Sequence, residues 1–157
     1  MLDVGEAIPV VAVSDGAGES GPLQALLDRP TVLVFIKEAC ETTRMALPMF
    51  GQWSRHAPDV GLLAIAQDDP ATTRALLADC GVEMPVVYDE PPYAASAAFD
   101  LPGVPTVVLV EDGRVSWHGS GWYRTAAEEL EERLSGLSGR EAGPFEGADD
   151  LPRFRPG

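Results

Sequence analysis

Short apolar runs recur along the chain and alternate with segments that show helical periodicity. Runs rich in β-branched residues, such as TVLVFI at 31–36, are typical of strands buried on both faces of a sheet. The pattern predicts strands at 31–36, 60–66, 85–88, 106–110 and 114–118, after a shorter apolar run at 10–13. The Asp112-Gly113 pair between the last two strands is a hairpin turn signal.

Helical patterns fill the intervals between these strands. Asp69 is placed to cap a helix whose first residue is Pro70, and Gly81 follows where that helix must end. The predicted helices are 22–27, 41–56, 70–80, 92–99 and 125–134. Strands and helices therefore alternate as β-α-β-α-β-α-β-β-α. This order predicts an α/β fold with a mostly parallel sheet, helices on both faces and a terminal antiparallel hairpin.

One domain accounts for most of the chain. Its 157 residues, 45% apolar and 23% charged, have the size and balance of a single soluble domain. Beyond the last helix the chain is rich in Gly, Pro and charge and loses its periodicity. We predict a domain at 1–136 and an extended or partly disordered tail at 137–157. In that tail two arginines flank Phe154, a pattern that suits either docking against an acidic surface or a solvated segment.

The charge balance narrows the class of partner. Eleven Lys and Arg against 25 Asp and Glu give a formal net charge of −14. Nucleic acids and anionic membranes attract basic surfaces, so neither is expected as a partner. The sequence shows no signal-peptide pattern at its start, and no apolar stretch approaches the ~20 residues that cross a bilayer. A cytoplasmic protein is therefore expected, and the sequence carries no indication of its oligomeric state.

The count and spacing of cysteines exclude two kinds of small scaffold. Cys40 and Cys80 are too few for a disulfide-stapled module. His56 and His118 are isolated, and no Cys or His pair has the spacing of zinc ligands. We therefore expect no metal and no cofactor.

Cys40 stands at the junction between the strand 31–36 and the helix that follows it. A helix N-terminus carries unpaired amides and a partial positive charge, which stabilise a thiolate relative to the thiol. Lys37 could add a cation, whereas Glu41 would oppose ionisation by like-charge repulsion. Local context leaves two interpretations open, a reactive thiol or a small buried apolar residue.

Three segments together resemble the thioredoxin-like superfamily. They are 32–48, with Pro48 eight residues after Cys40; 81–89, which reads GVEMPVVYD; and 103–106, which reads GVPT. The likeness is strongest to the branch of alkyl hydroperoxide reductase/thiol-specific antioxidant (peroxiredoxin-like) proteins and thiol-disulfide reductases. It implies a central mixed sheet with helices on both faces. It also implies a cis-proline loop in which Pro105 packs beside the active cysteine and Val104 offers its backbone to a bound thiol substrate.

The chain departs from that pattern at several positions. The second cysteine of the expected CxxC motif is replaced by Thr43, whose hydroxyl could donate a hydrogen bond to a thiolate but cannot form a disulfide. Lys37 and Leu33 stand where peroxiredoxins carry a threonine or serine and a proline. Cys80 follows a helix of ~11 residues, so at 1.5 Å per residue it should lie near the opposite edge of the sheet, as a buried core residue out of reach of Cys40.

These residues predict a thiol-based, antioxidant-type oxidoreductase with one active-site cysteine. Cys40 would attack a peroxide or a disulfide, with Lys37 supporting the anion and Thr43 donating to it. Val104 and Pro105 would shape the substrate groove. An external thiol reductant or a redox partner protein would then regenerate the thiol. The alternative is a redox-inactive binding module that keeps the thioredoxin-like groove without the chemistry.

Overall fold

A central mixed sheet organises the molecule in a computed structural model that describes residues 1–141, 143 and 145–157. Its strands in these residues are β1 (Ala12–Ser14), β2 (Ser20–Pro22), β3 (Thr31–Ile36), β4 (Gly61–Ala66), β5 (Val86–Tyr88), β6 (Thr106–Glu111) and β7 (Arg114–Ser120). They lie in the order β2-β1-β5-β4-β3-β6-β7. Every predicted strand is present, and the short run at 10–13 leads into β1.

The pairing of strands corrects one prediction. The pairs β3–β4 and β4–β5 are parallel, whereas β1–β2, β1–β5, β3–β6 and β6–β7 are antiparallel. A mixed sheet is therefore confirmed, and the mostly parallel sheet inferred from strand and helix alternation is wrong. The reason is that β1–β2 and β6–β7 are direct hairpins, and β6 enters beside β3 in the reverse direction.

Five α-helices pack on this sheet in the described residues. They are α1 (Glu41–Phe50), α2 (Trp53–His56), α3 (Pro70–Asp79), α4 (Ala94–Ala98) and α5 (Arg124–Ser138), with 3-10 turns at Leu23–Leu26 and Ala148–Asp150. The single helix predicted at 41–56 is divided at Gly51 and Gln52, where glycine is a poor helix former. None of the helices described combines the length and apolar character needed to cross a membrane.

The start of α3 follows the predicted capping pattern. Asp69 has an extended backbone, and its Oδ1 accepts a hydrogen bond from the Thr72 amide at 2.8 Å. Pro70 is the first helical residue, where its missing N–H costs no hydrogen bond. The hydrogen bonds from Thr72 lower the pKa of the Asp69 carboxyl.

The two faces of the sheet support separate parts of the core. One face packs against α1, α2, α3 and α5 through buried residues that include Leu47, Leu76 and Leu130. The other packs against the N-terminal segment and α4. Strand β3 is buried along its whole length between these layers. Its carboxyl end therefore delivers the chain directly to the start of α1, where Cys40 lies.

Residues beyond α5 lie against the domain. Helix α5 ends at Ser138, so the predicted boundary at 136 falls inside the helix. Further along, β9 (Phe154–Arg155) pairs with β8 (Trp122–Tyr123) in a separate antiparallel sheet. The buried Trp122 indole donates a hydrogen bond to the Pro152 carbonyl at 2.7 Å. The described part of this segment contains the 3-10 turn Ala148–Asp150 as well as β9, and it returns toward the Cys40 end of the molecule.

Candidate functional site

Cys40 is the N-cap residue of α1. Its backbone is extended, and its carbonyl accepts the first helical hydrogen bond, from the Arg44 amide at 3.2 Å. Its sulfur accepts a hydrogen bond from the Thr43 amide at 3.5 Å. One of the unpaired amides at the helix start therefore points at the thiol. The residue is half-buried, so the sulfur lies at the surface of the core rather than inside it.

The second contact of the sulfur is with the loop before β6. Cys40 Sγ donates a hydrogen bond to the Val104 carbonyl oxygen at 3.1 Å. The peptide bond between Val104 and Pro105 is cis. Thr106 Oγ1 holds this loop by donating to the Gly103 carbonyl at 2.7 Å. The structure thus brings Cys40, Thr43 and Val104 into contact, with Pro105 joined to Val104 by the cis bond.

Thr43 contacts the sulfur through a different group from the one predicted. Its side chain is fully buried, and among the described residues its hydroxyl has no hydrogen-bond partner. The hydroxyl points into the core because position 43 belongs to the buried face of α1. The backbone amide is the donor to the sulfur, so the predicted contribution of the hydroxyl is wrong.

Lys37 lies next to the site through its backbone. Its carbonyl accepts a hydrogen bond from the Cys40 amide at 3.2 Å, which closes the turn between β3 and α1. Its side chain is exposed and forms no ion pair with the described residues. Support of the Cys40 anion by the Lys37 ammonium therefore stays a prediction.

Sequence reasoning missed the residues that approach the site from beyond α5. Thr42 Oγ1 donates a hydrogen bond to the Pro156 carbonyl at 2.6 Å. The Arg155 guanidinium forms an ion pair with the Glu41 carboxylate. Gly157 lies against the backbone of Val104. The only sequence signal was the pair of arginines around Phe154, which indicated an acidic docking surface without locating it.

Cys80 lies beside Arg44, one turn along α1 from Cys40, and not at the opposite edge of the sheet as its helix length predicts. It is the C-cap residue of α3, and its sulfur donates to the Arg44 carbonyl at 3.6 Å. That carbonyl is free to accept because Pro48, four residues later, has no N–H to donate. Burial raises the pKa of the Cys80 thiol; the Arg44 guanidinium lowers it and the Asp79 carboxylate raises it, both to a smaller extent.

The position of Cys80 corrects one detail of the prediction and agrees with another. The residue is half-buried rather than buried, although it packs against the core on the α1 face. Both thiols are free. In the part of the chain that the structure describes, no group of three or more His, Cys, Asp or Glu could hold a metal ion.

Comparison with protein-family models and with curated proteins finds no match to this sequence. Solved structures with similar folds are numerous. A candidate thiol:disulfide interchange protein, DsbE, from Chlorobium tepidum has a TM-score of 0.74 at 22% identity, over 87% of this chain and 98% of that chain. A thiol:disulfide interchange protein from Bacteroides sp. has a TM-score of 0.73 at 15% identity, over 93% and 95% of the two chains.

A third structure is a secreted disulfide oxidoreductase of Mycobacterium tuberculosis, described as homologous to DsbE of E. coli. Its TM-score is 0.66 at 20% identity, over 81% of this chain and 96% of that chain. At such identities the likeness speaks for the architecture. Together with the mixed sheet and the order of its strands, it identifies the protein as one with a thioredoxin-like fold.

Proposed function

We propose that this protein exchanges its Cys40 thiol with disulfides and that an external thiol completes each cycle. The observation that carries the proposal is the position of Cys40 Sγ, between the Thr43 amide at 3.5 Å and the Val104 carbonyl at 3.1 Å. The amide can donate to the sulfur in either protonation state. The Val104 carbonyl accepts a hydrogen bond from the Cys40 thiol. When the thiol loses its proton, the Thr43 amide is still in place to donate to the sulfur.

The exchange would run in two balanced steps. The Cys40 thiolate attacks one sulfur of a disulfide, a bond forms between the two sulfurs, and the other sulfur leaves as a thiolate. An external thiolate then attacks the substrate sulfur of this mixed disulfide and releases Cys40. These two steps leave one substrate sulfur disulfide-bonded to the external thiol. A second external thiolate attacks the external sulfur of that disulfide and releases the substrate sulfur as a thiolate, so the substrate disulfide is reduced, two external thiols are oxidised to one disulfide, and Cys40 ends unchanged.

The need for an external thiol follows from the residues around Cys40. Position 43 is threonine, so no thiol lies one turn along the helix. The Cys80 thiol lies beside Arg44, one turn along α1 from Cys40, but its sulfur contacts the Arg44 carbonyl, and both cysteines are free. The similar folds named as thiol:disulfide interchange proteins agree with this class of reaction.

Mass spectrometry of the intact protein after incubation with oxidised glutathione tests the proposal. We expect one glutathione per chain on the wild type and on Cys80→Ser, and none on Cys40→Ser. Adding excess reduced glutathione should return Cys40 to the free thiol. Equal labelling of the two single-cysteine variants would contradict a special role for Cys40.

The same variants distinguish the other functions that the sequence predicts. A Cys40 sulfenic acid that forms with hydrogen peroxide much faster than in a free thiol would favour peroxide reduction over disulfide exchange. Failure of Cys40 to react with either oxidant would favour the redox-inactive binding module.

A further inference from the structure

Residues 154–157, which we term the strap, cross the groove between the start of α1 and the Val104–Pro105 loop. The strap begins in β9, where Tyr123 pairs with Phe154 and Trp122 with Arg155. The Tyr123 and Phe154 rings pack with centroids 5.2 Å apart. From there the chain contacts Glu41 and Thr42, which follow Cys40. It also contacts Val104, whose carbonyl accepts a hydrogen bond from the Cys40 thiol.

A hydrogen bond joins the strap to the helix that carries Cys40. Thr42 is only 4% exposed, and its hydroxyl donates to the Pro156 carbonyl at 2.6 Å. A buried hydroxyl needs a partner, and here the strap backbone supplies it. The contact uses a main-chain carbonyl, so other extended peptides could make it as well.

Gly157 lies too close to the Val104 backbone for a residue with a side chain. A Cβ atom built on it would overlap the Val104 carbonyl oxygen and lie 2.9 Å from the carbonyl carbon. That oxygen is the one that accepts the hydrogen bond from Cys40 Sγ. Gly121 is also in close contact with the strap, because a Cβ atom built on it would lie 2.6 Å from the Arg155 carbonyl oxygen.

The third contact is electrostatic. The Arg155 guanidinium pairs with the Glu41 carboxylate, which directly follows Cys40. Both side chains are substantially exposed, so the pair contributes orientation and selectivity more than affinity. Arg153, two residues earlier, is exposed and forms no ion pair with the described residues, although its backbone carbonyl accepts from the Arg124 amide at 3.0 Å.

The segment before the strap is fixed independently of the groove. The Gln52 side chain forms two hydrogen bonds with the Glu146 backbone, at 2.8 and 2.9 Å. The Trp122 indole donates to the Pro152 carbonyl, and the Arg124 guanidinium donates to the Leu151 carbonyl at 2.8 Å. Removing residues 154–157 would leave all of these contacts in place.

We propose that the strap is an internal ligand of a peptide-binding groove beside Cys40, and that a partner segment binds there by displacing it. The contacts of the strap indicate which peptide would bind in the groove. It would be an extended segment with a basic side chain facing Glu41, a carbonyl that accepts a hydrogen bond from Thr42, and a glycine against Val104. This binding needs no redox step and is therefore separate from the proposed exchange reaction.

Removal of the strap tests its occupancy of the groove. A chain that ends at Arg153 keeps the upstream contacts, and we expect iodoacetamide to alkylate its Cys40 severalfold faster than in the full chain. Cys80 in the same molecule is the internal control, and its rate should not change. An unchanged Cys40 rate would overturn the proposal.

A matched pair of substitutions repeats this test in a complete chain. Arg155→Glu replaces an attraction to Glu41 with a repulsion, so alkylation of Cys40 should accelerate. Arg153→Glu makes the same change in charge two residues away and should leave the rate unaltered. Equal effects of the two variants would show that net charge, and not the strap, governs access to Cys40.

Binding in trans tests the peptide specificity. The probe is a synthetic peptide of residues 154–157, the segment that the shortened chain lacks, titrated by calorimetry into the chain that ends at Arg153 and carries Cys40→Ser, so that no disulfide can form. We expect binding to this chain, clearly weaker binding to the full-length Cys40→Ser protein, and little binding of peptides carrying Arg155→Glu or Gly157→Val. No binding, or equal affinity for the shortened and full-length chains, would refute the internal ligand.

Discussion

The two cysteines occupy opposite ends of helices that pack on the same face of the sheet. Cys40 precedes α1, where unpaired amides point outward, and its sulfur accepts from one of them. Cys80 follows α3, and its sulfur contacts a carbonyl, the one that Pro48 leaves without a helical donor. Both side chains are half-buried, so exposure does not distinguish them. Both sulfurs donate to a carbonyl, that of Val104 for Cys40 and that of Arg44 for Cys80, and a carbonyl favours a protonated thiol. The difference among the described contacts is the Thr43 amide, a donor that favours a thiolate and that contacts Cys40 alone.

The largest expected change comes from placing a second cysteine beside Cys40. In Thr43→Cys, the two sulfurs would stand three residues apart on one helix, within the reach of a disulfide. We expect mild oxidation to leave one free thiol per chain, that of Cys80, as measured by thiol titration under denaturing conditions. Thr43→Ser is the control and should keep two free thiols. Three remaining thiols in the oxidised Thr43→Cys protein would contradict the proposed geometry.

In the wild type at mildly alkaline pH, the alkylation rate of Cys40 should exceed that of Cys80 by about tenfold or more, since only the thiolate reacts. Peptide mapping after timed exposure to iodoacetamide gives both rates in one sample. Cys40 should react first because it faces the Thr43 amide, and Cys80 last because burial raises its pKa. Equal rates would remove the distinction between the two helix ends.

The raised pKa of Cys80 also predicts how stability depends on pH. As pH rises through the ordinary pKa of a thiol, the unfolded chain releases this proton before the folded chain does. The contribution of Cys80 to the free energy of unfolding is therefore complete at neutral pH and decreases in alkaline solution. Urea unfolding from pH 7 to 10 should show a steeper decline for the wild type than for Cys80→Ala. Parallel curves would argue against the raised pKa.

The smallest effect concerns the charges around Cys80. The Arg44 guanidinium lowers the pKa of this thiol, so Arg44→Gln should raise it and slow alkylation of Cys80 by a factor of about two to three at pH 8. Cys40 alkylation in the same sample is the reference. A faster reaction of Cys80 would mean that Arg44 acts mainly by covering the thiol.

Local signals in the sequence were sufficient for strands β1 and β3 to β7, for the cap of α3 and for the placement of Cys40, but not for the short strands β2, β8 and β9. Asp69 and Pro70 mark a helix start without reference to the rest of the fold, and an apolar run before a helical pattern locates a strand end. The break at Gly51 was missed because one glycine inside a long helical pattern is usually tolerated. The role of the Thr43 hydroxyl was wrong because spacing along a helix does not determine where a hydroxyl points once the residue is buried.

The strap lay outside sequence reasoning for a different reason. Its contacts join residues far apart in the sequence; Thr42 and Pro156, which share a hydrogen bond, are 114 positions apart. No periodicity links such positions, and a segment rich in Pro, Gly and charge is compatible with both docking and solvation. Only the folded arrangement shows that Gly157 reaches Val104.

The hydrogen bond from the Thr43 amide to Cys40 Sγ would tie the proposed exchange reaction to the folding of α1. A thiolate accepts that bond more strongly than a sulfur engaged in a disulfide, so the reduced anion reinforces the first turn of α1. In the proposed exchange, forming a mixed disulfide would weaken the start of α1, and any ligand that holds this turn in place would shift the exchange equilibrium of Cys40.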